Sequence, residues 1–585
     1  MMIAVVLSSN IKRMVRDNVL VRKPVGIEAA GSMNLLFTDK TGTLTEGKMS
    51  LDRIILSDGK SFGSCARLAS AFPKLSSIYI DSCRCNTTSE LSSGVPTGGN
   101  GTERALLYSV LRYCQDPKPR VIERLDFDSA VKYSAARISY RDGERVLIKG
   151  APERLLPHAE RCLLSDGSSV DFSSYKKAFE KSISELCSEG KRVLLVAIAD
   201  AMPTAHTLPH LTVVCAVSLG DPLRAEAKRS VKSLRDAGIG VVMITGDGKE
   251  TAEAIAKGCG IIGGKRRLVI EGGELSHLSD DELCTILPEL AVIARALPTD
   301  KSRLVRVAQS AELVVGMTGD GINDAPALKC ADIGFAMGSG TDVAKDAGDI
   351  IILDNDLASI VKAVLYGRNI FKSIRKFITL QLTMNFCAVG VSMIGPFIGI
   401  DAPVTVVQML WINIIMDTLG GLAFAGEAPS PLCMKEKPKR RDEPILNRYM
   451  VNQIVLLGGF TIALCLGFLI MPTVSAHFRY SHDKIYHLTA FFALFIFTSV
   501  FNCFNARSDR LSFLTGISKN PAFIAIMSLI CVVQIAFIYL GGQVLRTMPL
   551  TASELSYTLL FSLNVFPAEL ARRLLWRLRG KKNGF

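Results

Sequence analysis

Two kinds of hydrophobic pattern divide the chain. Up to about residue 365, short apolar runs end in polar turns and lead into mixed helical patterning. Met33–Phe37, Gly240–Ile244 and Leu313–Met317 are the clearest of these runs. Each reads as a buried strand followed by a turn and a helix, an alternation that predicts a parallel, doubly wound α/β sheet. The first run stands far ahead of the others, so residues 50–215 read as a block inserted into that sheet. From about residue 376 the pattern changes to long apolar stretches separated by short polar loops. Six of them, about 376–399, 403–426, 449–471, 487–504, 520–541 and 554–575, are long enough to cross about 30 Å of hydrocarbon as helices. The fold class is therefore an α/β soluble part followed by an all-α transmembrane bundle.

At 585 residues the chain exceeds what one core supports. The pattern divides it into residues 1–29, an apolar helix end running into a basic stalk; 30–49, the first segment of the parallel-sheet domain; 50–215, the insertion; 216–365, the second segment; and 366–585, the membrane part. A net charge of +13 would suit nucleic acid, but the basic residues border apolar spans instead of forming one patch, so no nucleic-acid partner is expected. The loop Glu427–Arg448 and the tail after Arg572 are rich in Lys and Arg, whereas Pro396–Pro403 has none. By the positive-inside rule the soluble part and the C-terminus face the cytosol. The fifteen cysteines are scattered, and Cys83-x-Cys85 has no second pair at metal-site spacing.

The chemistry sits in polar turns after the candidate strands. Phe37-Thr-Asp-Lys-Thr-Gly-Thr-Leu-Thr45 places a carboxylate, a lysine, hydroxyls and a glycine at one strand end. Such a carboxylate can act as a nucleophile, with its neighbours serving a transferring phosphoryl group. Leu219-Gly-Asp-Pro222, Thr245-Gly-Asp247 and Thr318-Gly-Asp-Gly-Ile-Asn-Asp324 are expected to converge on it at the carboxyl edge of one sheet. Asp39, Asp320 and Asp324 would suit Mg²⁺, and Lys301, opening a helix, could reach the same oxygens.

These motifs, DKTGTLTEG, TGD and TGDGINDAPALK, resemble those of P-type ATPases, whose phosphorylation domain has the haloacid-dehalogenase fold. The resemblance implies Asp39 as the phosphorylated residue, with Lys40 beside it. Thr41 would contact phosphate and Mg²⁺; Thr245, Gly246, Asp247 and Lys301 would hold phosphate; Asp320 would ligate Mg²⁺; and Asn323 and Asp324 would complete the site. It implies ATP as cofactor and the insertion as an α+β nucleotide domain. There Phe127 would stack on the base, with Lys132, Glu103, Lys149, Gly150 and Arg192 beside it, and Asp221, Arg224 and Arg295 near the nucleotide. Ser134-Ala135 departs from the family's Met-Ser. A phosphatase of the same fold would carry a second Asp two residues after the nucleophile, where this chain has Thr41. A tethered phosphatase and a non-transporting subunit derived from a pump remain the alternatives.

Asp417 is the one acid well inside an apolar stretch, and Asn413 lies one helical turn before it. With Asn385 in the preceding stretch they offer hard oxygens suited to Ca²⁺, with Mn²⁺ using the same atoms. These segments resemble the plasma-membrane-type calcium ATPases in particular. Ala388 and Met416 stand where reticulum-type relatives carry a glutamate and a threonine, which implies one Ca²⁺ site per cycle. The resemblance also places Met1 just after the PEGLP segment of such pumps. The expectation is that this chain alone, without their earlier helices and actuator domain, binds ATP and accepts phosphate without transporting. The expected partners are the lipid bilayer, Ca²⁺ and ATP; no protein partner is inferred.

Overall fold

The computed structural model describes residues 2–579 apart from positions 129, 141–142, 205–206, 265, 401–402, 428, 440, 442, 482, 509–510, 514–516 and 518–519. One eight-stranded sheet runs in the spatial order 19–21, 350–352, 333–337, 315–319, 35–39, 240–244, 290–294, 268–271. Every pairing is parallel except the antiparallel edge strand 19–21. Strand Leu35–Asp39 is central, flanked by Gly240–Ile244 and Val315–Gly319. Leu35, Leu36 and Phe37 are all buried because helices cover both faces of that strand. The run expected at Leu313–Met317 lies two residues later as a strand. Leu313 and Val314 precede it, and the Val314 amide donates to the Asn34 side chain.

A second, mostly antiparallel sheet of nine strands is built from residues between 50 and 220. Strand Leu211–Gly220 pairs there, antiparallel to Ser50–Leu56 and Arg192–Ala199. This corrects the boundary expected at 215/216. The turn Leu219–Pro222 ends a strand of the inserted sheet, and the chain returns to the parallel sheet only after it. The two crossings between the sheets lie side by side, at the Gly220–Ser50 pair and at a bridge between Thr45 and Leu223.

Among the described residues five helices are long and apolar enough to cross a membrane, making this an integral membrane protein. The first does not begin at 376. It is continuous from Leu357 to Ile394 and starts beside the parallel sheet. The stretch expected as a sixth span, 554–575, is divided into Ala552–Ser562 and Val565–Leu578. The Leu563 and Phe566 amides bond three residues back, to Leu560 and Leu563, which tightens the chain at the break. Pro567 follows without an amide hydrogen of its own.

Two of the attachments that hold helix Leu357–Ile394 to the soluble part lie around Gly367 and Arg368. Helix Val25–Ser32, which leads into the central strand, meets it glycine against glycine. A Cβ on Gly31 would lie 2.6 Å from the Gly367 carbonyl carbon and 2.8 Å from the Arg368 nitrogen. Gly31→Ala must therefore push two backbones apart, and a loss of about 1–3 kcal/mol is expected. Thermal unfolding in detergent would measure it; an unchanged midpoint would refute the close contact. The loop after residue 426 makes the second attachment. The Arg368 guanidinium donates to the Cys433, Glu436, Ala237 and Gly31 carbonyls, while Lys372, Arg375 and Lys376 pair with Glu436, Glu443 and Glu427.

Lys439 of that loop lies over the Phe371 ring at 3.1 Å. Its ammonium has no hydrogen-bond partner among the described residues. Burial, with Arg375 nearby, pulls it down to about 7. Between about pH 7 and its ordinary value the unfolded chain binds the extra proton, so stability rises with pH across that window. Lys439→Met should flatten this rise and raise the midpoint near pH 7 by an amount worth about 1–2 kcal/mol, once solvent screening is allowed for. Thermal midpoints recorded from pH 6.5 to 9.5 would check both signs.

Candidate functional site

The carboxyl ends of the central strand and of its neighbour Val315–Gly319 bring three acids together, and a lysine reaches them from helix Pro298–Ser310. Asp39 is the last residue of strand Leu35–Asp39, and its amide donates to the Thr318 hydroxyl at 2.9 Å. Lys301, in the first turn of helix Pro298–Ser310, donates to Asp39 Oδ1 at 2.8 Å and to Asp324 Oδ1 at 2.6 Å. Asp324 Oδ2 in turn accepts from the Asp320 and Gly321 amides. Asp39, Asp320 and Asp324 each place a carboxylate oxygen within 4.8 Å of the others.

Electrostatics follow from that crowding. Burial raises the Asp39 carboxyl above its ordinary value; Lys301 opposes this, and Asp324 and Asp320 add to it. Burial also raises Asp320, reinforced by Asp324. Burial alone would lower Lys301, but Asp39 and Asp324 outweigh it and hold the ammonium above its ordinary value. The shifts agree on one point: one cation faces three acids, so the cluster carries excess negative charge. A hard divalent cation fits that excess, since every donor is oxygen.

The turn after Asp39 is shaped for close approach. Gly42 sits at φ +74°, and a Cβ there would lie 2.9 Å from Asp320 Oδ2, so both conformation and space call for glycine. Lys40 pairs with Asp247 at 2.7 Å, joining the ends of adjacent strands. The Thr245 hydroxyl accepts from the Asp247 amide, and the Asp247 and Thr245 carbonyls accept from the Arg295 and Ala296 amides. Gly246 is exposed, and an added Cβ would meet nothing within 4 Å. Asn323 is exposed beside buried Asp324.

Asp221 and Arg224 hold the exit of this turn. Asp221 accepts from the Thr45 hydroxyl at 2.6 Å and the Gly47 amide at 2.9 Å, and Arg224 donates to the Thr45 and Gly42 carbonyls. A cavity of about 530 Å³ opens between the sheets, lined by Lys40, Thr41, Lys191, Arg192, Asp221 and Asp247 among others. It is the size of a small-ligand site. A cavity of about 570 Å³ near Arg84 and Lys118 shares no lining residue with it.

Of the other residues expected at a nucleotide, Glu103, Phe127, Lys132, Lys149 and Gly150 belong to the inserted block and do not line the cavity between the sheets, whereas Arg192 lines it and Arg295 directly follows strand 290–294 of the parallel sheet. Lys149 is buried, pairs with Glu103 at 3.9 Å and donates to the Asn86 carbonyl. Burial lowers its ammonium, and Glu103 counteracts this. Glu103 accepts from the Thr88 hydroxyl, and Arg192 donates to Thr102. Gly150 lies where a Cβ would be 2.6 Å from Tyr133 Cβ. Phe127 is 45% exposed, and Lys132 pairs with Glu153. The Arg295 side chain is exposed, 3.9 Å from Glu271.

Two hydroxyls were not singled out by the motif reading. Thr318 receives the Asp39 amide. Thr43 is buried in the turn, with its hydroxyl lacking a hydrogen-bond partner among the described residues. Both stand inside the motifs, but a threonine there is silent about which atom it serves. In the membrane, Asn385 lies on helix Leu357–Ile394 and Asn413 on helix Val406–Ile414, both exposed. The backbone continues as a π-helical turn, Ile415–Gly420, which helix Leu357–Ile394 contacts. The Asp417 side chain lies outside the described residues.

Residues 33–332 match the haloacid dehalogenase-like hydrolases, residues 311–364 match a second family of the same description, and residues 401–575 match the cation transporting ATPase C-terminus. Plasma membrane calcium-transporting ATPase 3 of Homo sapiens is 34% identical over 602 residues, covering 94% of this chain and 49% of the relative. Plasma membrane calcium-transporting ATPase 1 of Gallus gallus is 35% identical over 608 residues, 95% of this chain and 50% of the relative. The chain thus spans about half the length of the relatives it matches. With its strand-end acids set in the matched region and a cation-transporter match over its membrane helices, the chain belongs to the haloacid dehalogenase-like hydrolases and is a homologue of the P-type calcium-transporting ATPases.

Proposed function

We propose that the protein takes the γ-phosphoryl group of ATP onto Asp39 as one step of Ca²⁺ transport across a membrane. The observation that carries this reading is the Lys301 bridge between Asp39 and Asp324, with Asp320 alongside, at the end of the central strand and near the cavity between the sheets. Asp39 is the attacking carboxylate. Lys301 holds it in place and offers its ammonium to the charge that builds on the transferring oxygens. Lys40 and Thr41 line the cavity beside it. Asp39, Asp320 and Asp324, with the Thr41 carbonyl, would hold Mg²⁺, which screens phosphate charge when bound.

Arg192, Lys191 and Lys40 place positive charge along the cavity, which suits a triphosphate. Phe127, Lys132, Lys149, Gly150 and Glu103 would receive the base end once the inserted sheet approaches the parallel one. Asp221 and Arg224 act at the crossing between the sheets, where they set the turn that follows Asp39. Arg295, exposed beside Glu271, lies at the rim. In the membrane, Asn385, Asn413 and Asp417 would supply oxygens to Ca²⁺, and the basic loop and tail would lie on the cytosolic side with the catalytic part.

The test uses membranes containing the chain, labelled ATP and Mg²⁺, quenched in acid with and without Ca²⁺. A Ca²⁺-dependent phosphoprotein that is stable in acid and released by hydroxylamine is expected. Free phosphate release with no trapped acyl phosphate would overturn the reading in favour of a phosphatase.

A further inference from the structure

We propose that Cys387 and Cys465 are a thiol pair which lipid hydroperoxides close to a disulfide, stapling helix Leu357–Ile394 to helix Arg448–Ile470 within the membrane. Both cysteines are fully buried, and their sulfurs lie 4.0 Å apart. The helices carrying them come unusually close. A Cβ on Gly390 would lie 2.4 Å from Ile462 Cδ1, and one on Gly458 would lie 2.7 Å from Phe386 Cδ1 and 3.4 Å from the Thr383 carbonyl oxygen. Glycines thus stand where the two helices pack beside the thiols, with Gly458 near the Thr383 carbonyl. Closing to a bond of about 2.05 Å then needs side-chain rotation and a shift of about 2 Å, with no large rearrangement of either helix.

The chemistry balances with a hydroperoxide as oxidant. One sulfur attacks the distal peroxide oxygen, the O–O bond breaks, a lipid alcohol leaves, and a sulfenic acid forms. The second thiol attacks that sulfur, the S–O bond breaks, and water leaves as the disulfide forms. The two sulfurs together lose two electrons, and the peroxide gains them. Reduction by a dithiol reverses the bond through a mixed disulfide. Because Cys387 lies two residues from Asn385, the staple would fix the helix segment expected to touch the ion. The bond itself forms or fails to form whatever ion is carried.

Membranes containing the chain with a C-terminal tag are treated with cumene hydroperoxide and the remaining thiols are alkylated. Trypsin then cuts after the exposed Lys435, between the two helices. On a non-reducing gel the tagged fragment should stay joined to the preceding one in roughly half or more of the protein, and dithiothreitol should release it. Cys387→Ala and Cys465→Ala should each abolish the joining, whereas Cys503→Ala and Cys531→Ala should not. Separate fragments in the oxidised wild type, or joining that survives Cys387→Ala, would overturn the proposal. Mass spectrometry of the oxidised wild type must also find a linked peptide pair containing Cys387 and Cys465, a readout that does not depend on any variant folding.

Discussion

Asp39→Asn should lose acid-stable phosphate incorporation from labelled ATP by on the order of 10³-fold or more, because an amide oxygen is a far weaker nucleophile than a carboxylate. The change is nearly isosteric. The Asp39 amide can still donate to Thr318, and the Lys301 contact to Asp324 at 2.6 Å does not involve Asp39. ATP binding should therefore persist. It should even tighten modestly, since one negative charge facing the terminal phosphate is gone from a cluster already rich in acid. Acid-quenched labelling and equilibrium nucleotide binding, measured on the same preparation, separate these effects. Labelling that survives the substitution would move the phosphorylated residue elsewhere.

Lys301→Met should be the next most damaging change, and its damage should depend on divalent cation. The substitution removes the one ammonium placed between Asp39 and Asp324, leaving three acids within 4.8 Å of one another. Breaking a buried ion pair on one side costs about 3–5 kcal/mol. In EDTA the thermal midpoint should fall accordingly, and Mg²⁺ should restore more stability to the variant than it adds to the wild type. Labelling should drop about 10²–10³-fold even with Mg²⁺, because the charge offered to the transferring oxygens is gone. Lys301→Arg should rescue stability better than labelling, since a planar guanidinium keeps charge but not a point ammonium between two carboxylates. An equal Mg²⁺ response in variant and wild type would argue against the three-acid cluster as the cation site.

The gathering of the strand-end acids could be read in the sequence because the motif residues are chemically specific and closely spaced. Asp39, Asp320 and Asp324 come together as their motifs imply, and Lys301 reaches them from a separate helix. The turn at Asp221 was harder to place. A strand followed by a polar turn looks the same whichever sheet it joins, so only the pairing with Ser50–Leu56 reveals that this turn belongs to the crossing. The apolar pattern marks only the later part of the long helix, because Lys362, Arg368, Lys372, Arg375 and Lys376 interrupt its first half. These charges are answered by Asp17 and by the loop after residue 426, partners far away in the chain. The break near Asn564 carried a local signal in Asn564 and Pro567, but composition summed over a whole stretch conceals a single tightened turn.

The meeting of Gly31 and Gly367 makes helix Leu357–Ile394 a lever with its fulcrum beside the parallel-sheet domain. From Gly367 to Asn385 is about 27 Å along a rigid helix at 1.5 Å per residue. A tilt of about 5° at the glycine contact would carry Asn385 sideways by about 2 Å, enough to break the coordination shell of a hard cation at 2.3–2.6 Å. Helix Val25–Ser32 presses on that fulcrum and runs straight into the strand ending at Asp39. If Asp39 is phosphorylated as proposed, a sub-ångström adjustment around it has a mechanical route to membrane depth, with a gain fixed by helix length and by the absence of side chains where the two backbones touch.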